Sequence, residues 1–200
     1  MRERWLWMLA LLVWVGGCAL FGLDDDGWFD LPIATTKSLT VPLDLESPLS
    51  GQPAPEAVEE PIVLPVLPVD LASASEELAN NRNKLKRLEI TDIALQAKES
   101  TLTQALPALE LYVGPRGASA DSAAWVMIGT TPVVPAGSQE QVRGVIVTEA
   151  MDAAQIYLTS LDFSFKIKGV MSIAAGEPMP GGGADLEITL RVKATVDPSK

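Results

Sequence analysis

A protein that does chemistry needs a nucleophile, a proton carrier or a metal ligand, and this chain offers few. Histidine is absent, and cysteine occurs once, at Cys18. Without imidazole the chain lacks the commonest general base, the commonest metal ligand and the usual switch near neutral pH. A zinc site needs histidine or several cysteines, so no metal is expected. One cysteine cannot close an internal disulfide. No G-x-S-x-G elbow, P-loop or G-x-G-x-x-G run is present. Gly181-Gly182-Gly183 lacks the lysine and the following helix of a phosphate loop, and reads as a hairpin tip. Asp24-Asp25-Asp26-Gly27 lacks the downstream glutamate and the spacing of a calcium loop, and reads as a solvated acidic tether. The remaining chemistry is that of carboxylates, since a Glu/Asp pair brought together by folding could hydrolyse a glycosidic bond. The acids lie mostly in the tether, in the 46–61 stretch and at exposed strand positions, and no nucleophile–base set is recognisable. The expectation is no catalytic residue and no cofactor.

The surroundings of Cys18 are more informative. Arg2 and Arg4 precede an apolar run, Trp5 to Val15, and Gly16, Gly17 and Cys18 follow. A charged start, an apolar middle and small residues at the cut are the order of a secretory signal. Val15-Gly16-Gly17-Cys18 resembles the lipobox of bacterial lipoproteins: an aliphatic residue, two small ones and the cysteine. Val15 stands where that family's commonest form has leucine. The resemblance implies cleavage between Gly17 and Cys18. It also implies diacylglycerol on the Cys18 thiol and acylation, of the palmitate type, at the new terminus. Two or three acyl chains anchor stably, because each buried methylene contributes about 0.8 kcal/mol. In the enterobacterial sorting pattern an aspartate after the cysteine favours the inner membrane. This chain has Ala19 there, which implies the outer membrane, facing the periplasm or the outside. The competing reading is an uncleaved transmembrane anchor, since the nineteen residues from Trp5 to Leu23 carry no charge and just span a bilayer.

Charge narrows the partners. The formal net charge is −11, which repels a phosphate backbone unless a basic patch offsets the field. Arg82, Lys84, Lys86 and Arg87 form the richest basic stretch and read as the solvated end of a helix. Nucleic acid is therefore not an expected partner.

The elements that must carry any site follow from periodicity. Residues 1–17 read as the signal peptide and 18–36 as a lipidated tether. Leu39, Val41, Leu43 and Leu45 alternate with polar residues, so 37–45 reads as a short strand that Pro42 confines to an edge. Residues 46–61, rich in proline and glutamate, read as an extended linker, and 62–200 as the domain. Within it, Asp70 can cap a helix whose packing face is Leu71, Ala74, Leu78 and Leu85, or which ends near Ala79 because Asn80, Asn81 and Asn83 weaken its middle. Strands are expected at 88–97, with a bulge at Thr91-Asp92, and at 109–113, 125–128 and 142–147. A second helix, 149–160, has Thr148 as its cap and Ala150, Ala154, Tyr157 and Leu158 as its core face. Two long alternating strands, 161–169 and 186–196, close the chain, joined by a flexible loop and each with one wet face. Their lysines, Lys166 and Lys168 included, are expected in water.

The fold class expected is mainly β (α+β): an antiparallel β-sandwich, or a sheet with one or two packed helices. The function expected is a non-enzymatic lipoprotein, held on the membrane by lipid on Cys18, that binds an envelope protein partner or supports an envelope assembly. Two other classes compete: a carrier of an apolar ligand such as lipid, and a carboxylate-dependent cell-wall hydrolase.

Overall fold

The computed structural model describes residues 31–46 and 48–197. Gly17 and Cys18, with the rest of the lipobox, lie outside the described residues.

The chain is an antiparallel β-sandwich. The first sheet has the order β1 (Leu31–Asp44), β10 (Gly183–Val196), β4 (Leu85–Lys98), β7 (Val142–Arg143). The second runs β2 (Val58–Val63), β9 (Asp162–Ile173), β5 (Glu110–Pro115), β6 (Val126–Thr130), β8 (Val145–Ile146). A short strand, β3 (Leu67–Asp70), pairs with the first residues of β9 while β2 pairs with the last, so the two make one interrupted edge. Leu31, Leu85 and Val196 lie together at one end of the first sheet, the entry end. Asp44, Lys98 and Gly183 lie at the other, the far end.

Alternation builds the core. In β10 the residues Ala184, Leu186, Ile188, Leu190, Val192, Ala194 and Val196 are all buried. Phe163, Phe165 and Ile167 of β9 meet them from the second sheet as part of one cluster. Each valine, leucine, isoleucine or phenylalanine among them contributes about 1.5–3 kcal/mol when fully buried. The expected bulge is present: Arg191 faces Asp92 and Val192 faces Ile90, leaving Thr91 without a partner. The slip keeps Ile90 and Ile93 on the core face although they are three residues apart.

The first helix ends near Ala79, where the asparagines weaken it, and the second is shorter than expected. A 3-10 turn, Ala72–Ala74, precedes α1 (Glu76–Asn80), and a second turn, Arg82–Lys84, follows it. Leu71 is the cap of the first turn; Asp70, one residue earlier, accepts from the Ser73 amide through Oδ1 at 3.1 Å, and Ser75 caps α1. The basic stretch therefore ends in strand β4. The second helix, α2 (Met151–Leu158), follows the turn Thr148–Ala150, and Thr148 lies inside that turn and is not its cap. Its buried face is Met151, Ala154 and Leu158, with Tyr157 partly buried.

Three sequence expectations are corrected. First, β1 starts at Leu31, so residues 31–36 belong to the sheet and not to a tether. Their alternation is masked by Pro32, Ala34, Thr35 and Thr36, and pairing with β10 along the whole strand overrides that weak pattern. Second, residues 46–61 are not a free linker. Ala54 is buried, the Gly51 and Ala54 amides donate to the Met179 and Glu177 carbonyls at 2.9 and 2.8 Å, and β2 begins at Val58. The prolines permit this because the strand they interrupt is an edge. Third, β9 and β10 do not form a hairpin, since they lie in different sheets.

The segment between β9 and β10 is held, not flexible. The Leu45 amide donates to the Gly182 carbonyl at 3.0 Å on one side. On the other, the Thr101 and Thr103 amides donate to Gly183 and Gly181 at 2.8 and 3.0 Å. A Cβ on Gly182 would sit 2.1 Å from the Thr101 carbonyl oxygen, and its φ is +82°. The glycine run marks a backbone packed between two others.

Candidate functional site

Two places on the described surface differ from a plain sandwich. The first is the outer face of the second sheet. Lys166 projects there from the middle of β9, between Tyr112 of β5 and Trp125 just before β6. Its Nζ lies 4.9 Å from the centre of the Tyr112 ring and 4.7 Å from that of Trp125. It donates to the Ala120 carbonyl at 2.9 Å. The β5–β6 loop makes this contact by folding back over the sheet. Gly117 N–H donates to Ser164 Oγ at 3.0 Å, and the Trp125 indole donates to the Ser119 carbonyl at 2.9 Å. Arg116 pairs with Asp162. Gly114 makes room for the indole, since a Cβ there would meet it at 2.7 Å. The loop is thus a strap, and Lys166 and Ser164 beneath it are buried.

Beside the strap, the Tyr112 hydroxyl donates to Glu110 Oε2 at 2.7 Å, and Lys168 Nζ lies 3.2 Å from the same oxygen. The hydrogen bond from Tyr112 holds the Glu110 carboxyl below its usual range, and Lys168 adds to this against a contrary effect of burial. Burial and the bond to Glu110 raise the Tyr112 phenol, with Lys168 opposing. Burial lowers Lys166, helped by Lys168, while Asp121 pulls the other way. Contacts with Tyr112 and Glu110 raise Lys168. Displaced titrations often mark functional sites. Here each group is met by a neighbour. Glu110 moves in the direction opposite to that of a glycosidase general acid, whose pKa is raised. Lys166 is covered by two rings and a carbonyl. Together these contacts tie the β5–β6 loop to the sheet.

The second place is the open side of the sandwich. There β1, an edge of the first sheet, faces β2, an edge of the second. A groove of about 520 Å³ runs between residues 42–46 and 60–65, with Leu49, Met179 and Pro180 completing its lining. The space between the sheets is filled by the core side chains, so this room lies outside the core. The groove has apolar lips, Leu49 and Val63, and three acids, Asp44, Glu46 and Glu60.

The sequence reading identified neither place. Lys166 was expected on a wet face, because alternation along β9 cannot show that a loop covers it. The turn residues Gly114-Pro115-Arg116-Gly117 and the short run Ser119 to Ala124 mark a loop there, but not where it folds. The groove unites residues far apart in the chain and has no linear sign. Among the described residues no group of histidine, cysteine or acids is placed to hold a metal ion, and no helix is long and apolar enough to cross a membrane.

No protein family matches the chain, and no curated protein does. Among solved structures, it is similar to that of Mud crab tombus-like virus, at 10% identity over 86% of each chain with a TM-score of 0.35. It is similar also to the Desmodium yellow mottle tymovirus structure, at 11% identity over 88% of this chain and 94% of that one, TM-score 0.29. The decameric BFDV capsid protein gives 9% identity over 82% and 99%, TM-score 0.36. At these scores nothing is carried over from them.

Proposed function

We propose that this chain is an exported lipoprotein, held in the outer membrane by acyl chains on Cys18. Its β-sandwich is a non-enzymatic binding or structural module of the cell envelope. One observation carries the reading: the chain's only cysteine stands directly after Val15-Gly16-Gly17, at the end of an apolar run with a basic start. The architecture supports it. Twelve residues, 19–30, separate the cysteine from the first strand, a reach of at most about 42 Å. The domain therefore stays close to the bilayer. The polar cluster on the second sheet is spent on fastening a loop, which supports a binding or structural role over catalysis.

The test is the intact mass of the membrane-extracted protein beside a Cys18→Ala variant. The expected wild type lacks residues 1–17 and carries the mass of diacylglycerol, and the variant does neither. A wild type that keeps Met1 to Gly17 and carries no lipid overturns the reading, and Trp5 to Leu23 is then the anchor.

A further inference from the structure

The groove on the open side sits in a strongly one-sided field. Its lining includes Asp44, Glu46 and Glu60 and no cation. The imbalance extends over the whole far end. The segments gathered there, residues 42–60, 98–108, 131–141 and 173–187, hold ten carboxylates and one lysine. That lysine, Lys98, is already paired with Glu187. Residues 131–141 belong to this end because Leu106 and Val134 bridge and the Gln96 side chain donates to the Gln139 carbonyl at 2.9 Å. The entry end is different. Residues 70–89 hold four acids and four bases. Within the acidic field the groove adds apolar contact, because Leu49 and Val63 are 52% and 60% exposed.

We infer that this groove takes an extended segment of a partner protein in which lysine or arginine alternates with apolar residues. Charge complementarity selects the cation: a concave acidic surface concentrates positive ligands and speeds their encounter. The lips select the apolar residues. The walls select the form of the ligand. Pro42, Pro61 and Pro65 offer no amide donors, so the segment is read through its side chains and not by adding a strand. Position agrees with an anchored domain. The strand that enters at Leu31 reaches the groove at Pro42, about 37 Å further along. Anionic headgroups repel the acidic end, which favours the groove turned away from the bilayer. The inference names the partner of the binding module proposed above and rests on that module binding a protein, not on the lipid.

The test uses the full chain in phosphatidylcholine nanodiscs, with empty nanodiscs as the blank. Three fluorescein-labelled octapeptides serve as probes: alternating lysine and valine, alternating glutamate and valine, and alternating lysine and serine. The lysine–valine peptide is expected to bind at least tenfold more tightly than either of the others. A Val63→Ser, Glu60→Gln double variant, changed only at exposed positions, is expected to lose at least tenfold, and Glu149→Gln at the entry end nothing. Equal binding of the lysine–serine peptide shows diffuse attraction only and overturns the groove. So does an unchanged double variant with a wild-type melting curve, or no binding at all. Intact mass on the same sample reads the anchor separately. A lipidated chain that binds no peptide sinks the groove alone, and an unlipidated chain that binds sinks the anchor alone.

Discussion

On one long side of the sandwich the chain itself steps between the sheets. It leaves β7 at Arg143, passes through Gly144 and enters β8 at Val145. The Gly144 amide donates to the Ile93 carbonyl at 2.8 Å, and the Val145 carbonyl lies so close to Gly129 that a Cβ there would sit at 2.6 Å. Where β7 does not reach, Gln155 of α2 takes its place: its amide bonds the N–H and C=O of Leu88 at 3.0 and 2.7 Å. On the other long side the chain passes from β1 to β2 around the far end and not between paired strands. The Leu45 amide bonds across to Gly182, so in β1 the odd-numbered residues bond to β10 and the even-numbered ones turn their backbone outward. Pro32 and Pro42 are both even. Lys37 reaches over to Ser73 Oγ at 3.3 Å. The closed side needs residues without side chains, and the open side needs residues without donors. Both meet the hazard of an unpaired edge, one by covering it and one by blunting it. The blunted side keeps the groove of about 520 Å³.

The comparison is broken most severely at Gly129. Gly129→Val drives side-chain atoms into the Val145 carbonyl, which is backbone and cannot swing away. The expected loss is about 3 kcal/mol, read as a fall in Tm of roughly 10 °C. A Tm within a degree of wild type would mean the closed side yields easily. Gly117→Ala separates clash from backbone strain: a Cβ there meets nothing within 4 Å, but its φ is +71°, so a smaller loss of about 1 kcal/mol is expected.

Next comes the strap. Lys166→Ala removes the bond to Ala120 and two ring contacts, so about 2 kcal/mol is expected, with protease cutting in residues 116–125 appearing before global unfolding. If that loop resists protease as well as wild type does, the fastener role fails.

Acid titration of Glu110 gives a smaller effect. Its folded pKa lies below the unfolded one, so its contribution is present above the unfolded carboxylate value and lost as pH falls through the folded one. The group is nearly half exposed, so under about 1 kcal/mol is expected. Urea midpoints of wild type and Glu110→Gln should converge as the pH is lowered below 4, and a constant gap would refute the assignment. Lys166 has the opposite sense. Its lowered folded value makes its charge unfavourable at neutral pH, and that penalty is relieved as pH climbs toward 10.5.

The smallest effect on stability is expected on the open side. Pro42→Val restores an outward amide and should leave Tm within about 1 °C. Association should instead appear at high concentration in sedimentation velocity. A variant that stays as monomeric as wild type would show that proline is not what blunts this edge.

Much of the sandwich is legible along the chain. The alternation of β10 gives both its span and its buried face, and the bulge at Thr91 shows as a slip between Ile90 and Ile93. The turn after β5 announces itself in Gly114-Pro115-Arg116-Gly117. The short helices are less legible. Asn80 and Asn81 weaken the pattern near Ala79, but the 3-10 turns around α1 carry no distinct period. For the candidate sites almost nothing is legible, because each is made by segments that meet only in space.

The lipobox and its cysteine are properties of a linear peptide, so sequence by itself determines that expectation. The same is true of the mainly-β class, since a period of two records one buried and one exposed face. Sequence also sets where proline forbids a donor and where glycine permits a crossing. Only the tertiary structure decided that β9 and β10 part into different sheets, because alternation names a face and not a partner. It alone decided that Lys166 is covered, since the loop responsible lies some forty residues upstream. And it alone placed ten carboxylates at one end, because that grouping depends on which strand ends and loops the two sheets bring together.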